Sequence, residues 1–211
     1  MTAAIFNIGP QQIIVAMDTL AMAGEMRTPL FFTSKFYPLP HLNGAMFATG
    51  IGDLATQWFV KLERFLVRDI HHLDEFAIPT LRELGRQFEL NEENTTAIYH
   101  VGYSERESRY VGFAYRSTDN FASERLEYGL RTKPGVAGAV IESFPDDFIR
   151  LMEQQRTEDD ALPVQNRVFI GGEIQALILH QKTMTIQTIY RFSDYEKLYE
   201  QMCDALPANQ K

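Results

Sequence analysis

Hydrophobic positions follow two rhythms along the chain. At its start they form short, nearly continuous runs cut by Gly and Pro: Ala3 to Gly9, then Ile13 to Met17 after Pro10-Gln11-Gln12. Two such runs across a Gly-Pro break predict a β-hairpin, and their unbroken apolar character predicts strands buried on both faces. Residues 19–28 are small and mixed and read as a loop. Residues 30–37 and 42–49 predict another strand pair, with Pro38 and Pro40 between them, where prolines are tolerated.

After Gly50 and Gly52 the period changes. Leu54, Trp58, Leu62, Phe65 and Leu66 recur at helical spacing, which predicts a helix over 53–68 with Asp53 at the positive end of its dipole. A second helix is expected over 74–88, opened by Asp74 and Glu75. Residues 95–103 and 108–117 alternate apolar and polar, a hairpin with which 122–130 could pair. Its Tyr103, Tyr110, Val111 and Tyr115 are read as an exposed apolar surface, and so as an interface. A helix follows from Pro145-Asp146-Asp147, then a hairpin of 173–180 and 183–192, then a short closing helix from Asp194 to Leu206. Parallel βαβ alternation is absent, so the fold class is α+β, built on antiparallel sheets.

Composition narrows the function more than the fold. The 211 residues suit one domain, 1–211, and 45% hydrophobic with 23% charged residues rules out disorder as the main state. A single cysteine, Cys203, rules out an intrachain disulfide and a cysteine-only zinc site. The net charge of −8 argues against nucleic acid, whose affinity comes from clustered Lys and Arg. No stretch is apolar for long enough to span a membrane, and the N-terminus reads as a strand rather than a signal peptide, so the expected location is cytoplasmic. His71-His72 reads as a helix-end cap or loop and His41, His100 and His180 are scattered, so no metal or other cofactor is expected.

Four segments carry a family resemblance. Ile13-Ile14-Val15-Ala16-Met17-Asp18-Thr19 resembles an apolar strand running into Ala-Asp-Ser/Thr, and Ser34-Lys35-Phe36 the lysine-bearing strand that follows it. Ala48-Thr49-Gly50-Ile51-Gly52-Asp53-Leu54 resembles an Ala-Gly-x-x-Ala-Asp turn into a long helix, with Gly52 in place of Ala. Gly171-Gly172-Glu173-Ile174 resembles a Gly-Gly-Pro-Ile stretch, with Glu in place of Pro. In order and spacing the chain resembles the N-terminal-nucleophile (Ntn) hydrolase superfamily, and within it the proteasome β-type and bacterial ATP-dependent protease subunits.

That resemblance implies an αββα four-layer sandwich of two antiparallel sheets, assembled as a homo-oligomer that could be a ring. It also implies a threonine-protease chemistry on a peptide or small amide substrate. Removal of Met1 would expose Thr2 as nucleophile, with its own α-amine, whose pKa lies near working pH, as base. Asp18 lies sixteen residues after Thr2, the family's separation. Lys35 would sit beside the amine, paired with Asp18, and Gly50 would supply an oxyanion-binding N–H. No Gly-Ser-Gly-Gly counterpart is present; by rough position the supporting serine is Ser123 or Ser143. Two readings stand beside the enzyme. Thr2 could be an ordinary strand residue in a catalytically silent structural or binding subunit, and the same chemistry could serve a small-molecule amidase.

Overall fold

The computed structural model describes residues 2–23, 28–92 and 94–206. Its first hairpin is β1 (Ala4–Ile8) and β2 (Gln12–Asp18), with Ile8 opposite Ile13 and Ala4 opposite Met17. After it come a short ribbon, β3 (Leu20–Met22) with β4 (Pro29–Phe32), then β5 (Phe36–Leu39) and β6 (Gly44–Thr49). Helices α1 (Gly52–Leu62) and α2 (Ile70–Gly85) follow. Strands β7 (Ala97–Ser104), β8 (Arg109–Arg116), β9 (Ser123–Arg125) and β10 (Gly129–Lys133) come next, then α3 (Asp146–Asp160). The hairpin β11 (Glu173–His180) and β12 (Thr183–Arg191) precedes α4 (Tyr195–Asp204). Two five-stranded antiparallel sheets result, ordered β10-β1-β2-β11-β12 and β5-β6-β7-β8-β9.

The period of two in each strand divides its residues between cores. Ala4, Phe6, Val15 and Met17 point into the space between the sheets, where they meet Phe47, Tyr99, Val101 and Leu177. There Phe47 and Tyr99 stack at 4.7 Å, with Phe6 edge-on to Phe47 at 5.3 Å. Ile5, Ala16 and Ile174 point the other way, onto Phe148, Leu151 and Met152 of α3. Met46, Ile98, Val111 and Tyr115 likewise leave the second sheet toward Leu54, Trp58, Leu73 and Leu81 of α1 and α2. Each large side chain so buried contributes about 1.5–3 kcal/mol. This double use explains the unbroken apolar runs of β1 and β2.

Tyr110 ties the sheets together at one end. Its N–H donates to Pro10 O in the β1–β2 turn at 3.0 Å, and its hydroxyl accepts from Lys182 N in the β11–β12 turn at 2.9 Å. Gln181 and Lys182 both have positive φ, 49° and 58°, as a two-residue hairpin turn requires.

Several sequence expectations are corrected here. The 95–117 hairpin presents no broad exposed apolar surface: Tyr110, Val111 and Tyr115 are 1%, 1% and 0% exposed, because the second sheet is covered on both faces. Helix α1 stops at Leu62, which leaves Leu66 91% exposed rather than in the apolar stripe. Helix α2 begins four residues before Asp74, because the Asp69 carboxylate accepts from His71 N at 3.0 Å and His72 N at 2.8 Å. Pro79 lies inside α2. The strand expected over 30–37 is broken at 33–35 between β4 and β5, and Pro38 belongs to β5, an edge strand that needs no donor there. The segment 122–130 is split between the two sheets, through β9 and the start of β10.

Candidate active site

At the end of the sheets away from Tyr110, the C-terminal ends of β2 and β6 and the N-terminal ends of β1, β7 and β11 converge on a cleft of about 850 Å³. Its lining includes Thr2, Lys35, Gly50, Leu20–Ala23, Leu30, Phe31, Ile51, Asp53 and 167–169. Three of the four residues singled out in the sequence therefore meet on one cavity, and Asp18 stands directly behind.

Asp18 ends β2 and is 1% exposed. Its Oδ1 accepts from Lys35 Nζ at 2.9 Å and from Ala3 N at 3.1 Å. Lys35 Nζ donates also to Leu20 O at 2.9 Å. The break between β4 and β5 lets Lys35 turn inward to make these bonds. Burial pushes the Lys35 ammonium below its ordinary range, while the charge and hydrogen bond of Asp18 act the other way. Asp18 Oδ2 is buried with no hydrogen-bond partner among the described residues. The Ala3 bond fixes the backbone beside Thr2, so one carboxylate holds both the chain ahead of β1 and the lysine.

Gly50 follows β6 with φ of +102°, and a Cβ there would lie 2.1 Å from Thr95 O, so only glycine fits. The ladder sets the direction of its amide. Tyr103 N donates to Asn43 O, which by alternation makes 45/101, 47/99 and 49/97 the hydrogen-bonded pairs with β7. The Gly50 N–H therefore faces the β5 side. Strand β5 begins at Phe36 opposite Phe47 and stops short of Gly50, and Gly50 itself lines the cleft. Next to it, Ile51 N donates to Thr96 Oγ1 at 3.0 Å and α1 starts at Gly52.

Gly172, at φ of +79°, serves a close approach. A Cβ would lie 2.4 Å from Thr19 Oγ1, and that hydroxyl accepts from Glu173 N at 2.8 Å. Thr19 N and Leu20 N donate to Glu173 O and Gly171 O, which binds the segment after Asp18 to the start of β11.

Neither serine suggested from position reaches the cleft. The Ser123 hydroxyl donates to Asp74 Oδ1 at 2.5 Å, and Ser143 donates through its N and Oγ to Asp147 Oδ2. Ser34 does line the cleft. The wall formed by Arg167, Val168 and Phe169 was not foreseen, since nothing in Arg-Val-Phe distinguishes it from a strand. His100 is fully buried and accepts from Trp58 Nε1 at 2.9 Å through Nε2; burial lowers its pKa to about 3, so it is neutral. Among the described residues no three metal-ligating side chains cluster, and no helix is long and apolar enough to cross a membrane.

No family model and no curated protein matches the chain. Among solved structures it is similar to Anbu (ancestral beta-subunit) from Yersinia bercovieri, with a TM-score of 0.62 and 10% identity over 98% of each chain. It is also similar to an Anbu (Gly-1) mutant from Hyphomicrobium sp. strain MC1, with a TM-score of 0.65 and 13% identity over 97% of this chain and 94% of the other. These findings correct the resemblance read from the sequence. They point to Anbu proteins rather than to proteasome β-type or bacterial ATP-dependent protease subunits, and at such identity they establish the fold alone. The reason is physical. Gly50 and Gly172 answer to positive φ and close backbone approach, demands of this chain geometry that are independent of any one family.

Proposed function

We propose that the chain is an amide-bond hydrolase, peptidase-like, with Thr2 as an N-terminal nucleophile. The observation that carries this reading is the buried Lys35–Asp18 pair set behind a cleft that Thr2 and Gly50 line. It requires removal of Met1, which lies outside the described residues. The Thr2 hydroxyl would then attack the substrate carbonyl and pass its proton to its own α-amine. The tetrahedral oxyanion would be held by the Gly50 N–H. Collapse would release the amine with that proton and leave an ester on Thr2, and water activated by the same α-amine would hydrolyse it. Lys35 would keep positive charge beside the amine and hold its proton affinity down, with Asp18 orienting Lys35. A volume of about 850 Å³ suits a short peptide segment.

The same reading takes the packing as an αββα four-layer sandwich in one domain, and the chain as a cytoplasmic homo-oligomer. The likeness to Anbu, whose name describes a β-subunit, supports a subunit role. A silent structural subunit is the second reading. It is favoured by the bonds that Lys35 makes among the described residues, which end on the scaffold at Asp18 Oδ1 and Leu20 O.

N-terminal mass of the native protein, combined with a fluorogenic peptide library, separates the two. Loss of Met1, turnover by wild type, none by Thr2→Ala and partial turnover by Thr2→Ser are the expected results. Retained Met1 with no cleavage, or a Thr2→Ala variant as active as wild type, would give the silent subunit the better claim.

A further inference from the structure

The wall at 167–169 is held from outside the cleft. Asp159, on the last turn of α3, is 2% exposed, and each of its carboxylate oxygens accepts one backbone amide. Val168 N donates to Oδ1 at 2.7 Å and Phe169 N to Oδ2 at 2.8 Å. Phe169 has φ of +62°, a left-handed conformation that a bulky residue adopts only when its surroundings impose it. A carboxylate near a helix C-terminus also opposes the negative end of the dipole. Buried there, it requires strong partners, and the two amides are those partners. Arg167 reinforces the attachment, donating to Leu162 O at 2.8 Å and Asp160 O at 2.5 Å at the same helix end.

We propose that Asp159 is a positioning residue for the cleft: it reaches from α3 to fix Val168 and Phe169 as the wall against which a peptide substrate lies. The proposal rests on the reading of Thr2 as nucleophile. Asp159 touches neither Thr2 nor the reacting atoms and works through the two amides. Its loss therefore weakens the fit of an extended substrate while the nucleophile itself keeps its surroundings.

The test uses the full chain, Asp159→Asn, and two substrates: a small aryl ester, which needs only the nucleophile, and an aryl ester of a tetrapeptide, which needs the wall. The asparagine keeps one acceptor and leaves one amide without a partner, so amide exchange at Val168 or Phe169 should rise roughly tenfold or more. KM for the peptide ester should rise about tenfold with kcat nearly unchanged, and turnover of the small ester should stay within about twofold of wild type. Phe169→Gly gives a second route in case Asp159→Asn folds poorly. Glycine accepts the positive φ, so the fold should persist while the peptide-ester KM rises. An unchanged peptide-ester KM in either folded variant, or an equal loss on both esters, would overturn the role of Asp159 and leave Thr2 standing. A wild-type chain that consumes neither ester would overturn the nucleophile, and the Asp159 proposal with it.

Discussion

The two ends of the paired sheets hold charge in opposite ways. At the cleft end Lys35 and Asp18 meet at 2.9 Å with side chains 12% and 0% exposed, and one carboxylate oxygen has no partner among the described residues. At the Tyr110 end Glu107 accepts from Arg109 and Arg125 and faces His71 at 3.3 Å, on a surface where both arginines are open to water. By residue type the far cluster looks more catalytic, since it gathers Ser104, His71 and Glu107. Its geometry is wrong for that work. One nitrogen, His71 Nε2, faces both Ser104 Oγ at 2.9 Å and Glu107 Oε1 at 3.3 Å, whereas a relay needs one partner on each ring nitrogen. Ser104 is moreover fully buried. A candidate site is better recognised by costly burial beside an open cavity than by the presence of reactive residue types.

Activity gives the largest contrast. Lys35→Ala should lower peptide turnover by about a thousandfold or more, because groups acting as one unit fail together. His71→Ala should leave it within about twofold. A fluorogenic peptide assay on both proteins decides, and comparable losses would erase the distinction between the ends.

Stability comes next. Asp18→Asn leaves the Lys35 ammonium buried without its counter-charge, at a cost of about 3–5 kcal/mol. In a chain of this size that lowers Tm by roughly 10 °C. Glu107→Gln disturbs a network whose arginines are well solvated and should stay within about 1 kcal/mol. Parallel calorimetric melts that moved by the same amount would show the cleft-end pair to be no more buried in effect than the surface one.

The smallest effect is in pH. Hydrogen bonds from Arg125 and then Arg109 hold the Glu107 carboxyl down to about 2. A carboxylate depressed on folding contributes stability that is complete above its unfolded pKa near 4.3 and disappears as pH falls toward 2. Wild type should thus lose more stability than Glu107→Gln between pH 5 and 2.5 in urea melts. Identical slopes would mean that the arginines do not engage Glu107 in solution.

The order of elements along the chain and most of their positions were legible: β1 and β2 bury both faces and show it in their apolar runs, while β7 and β8 showed only as alternating segments. Helix ends were less so. Asp69 caps α2 through its side chain, but nothing in Arg68-Asp69-Ile70 marks it above Asp74 as the start. Thr2, Asp18, Lys35 and Gly50 were singled out in the sequence through the family resemblance; in the structure each sits at a strand end or next to one, and their roles belong to the proposed function. The wall at 167–169 was not legible, because its shape is dictated by a carboxylate that lies on a helix and looks in sequence like one acid among the solvated run Glu158-Asp159-Asp160. The tyrosines of the second hairpin misled for a related reason: alternation tells two faces apart but not whether both are covered.

The tie at Tyr110 sets how the molecule can breathe. Its hydroxyl and amide join three turns into a spine, whereas at the opposite edge the Asp18–Lys35 pair links the end of β2 to the residue ahead of β5. Two stiff leaves fastened along a spine separate most at the far margin, as the covers of a book do. The expected consequence is that amide exchange is slowest around Tyr110 and faster toward the mouth, where the cleft lies. Loosening the spine, by Tyr110→Phe for instance, would act on the mouth from the opposite end of the molecule without altering a single residue that lines it.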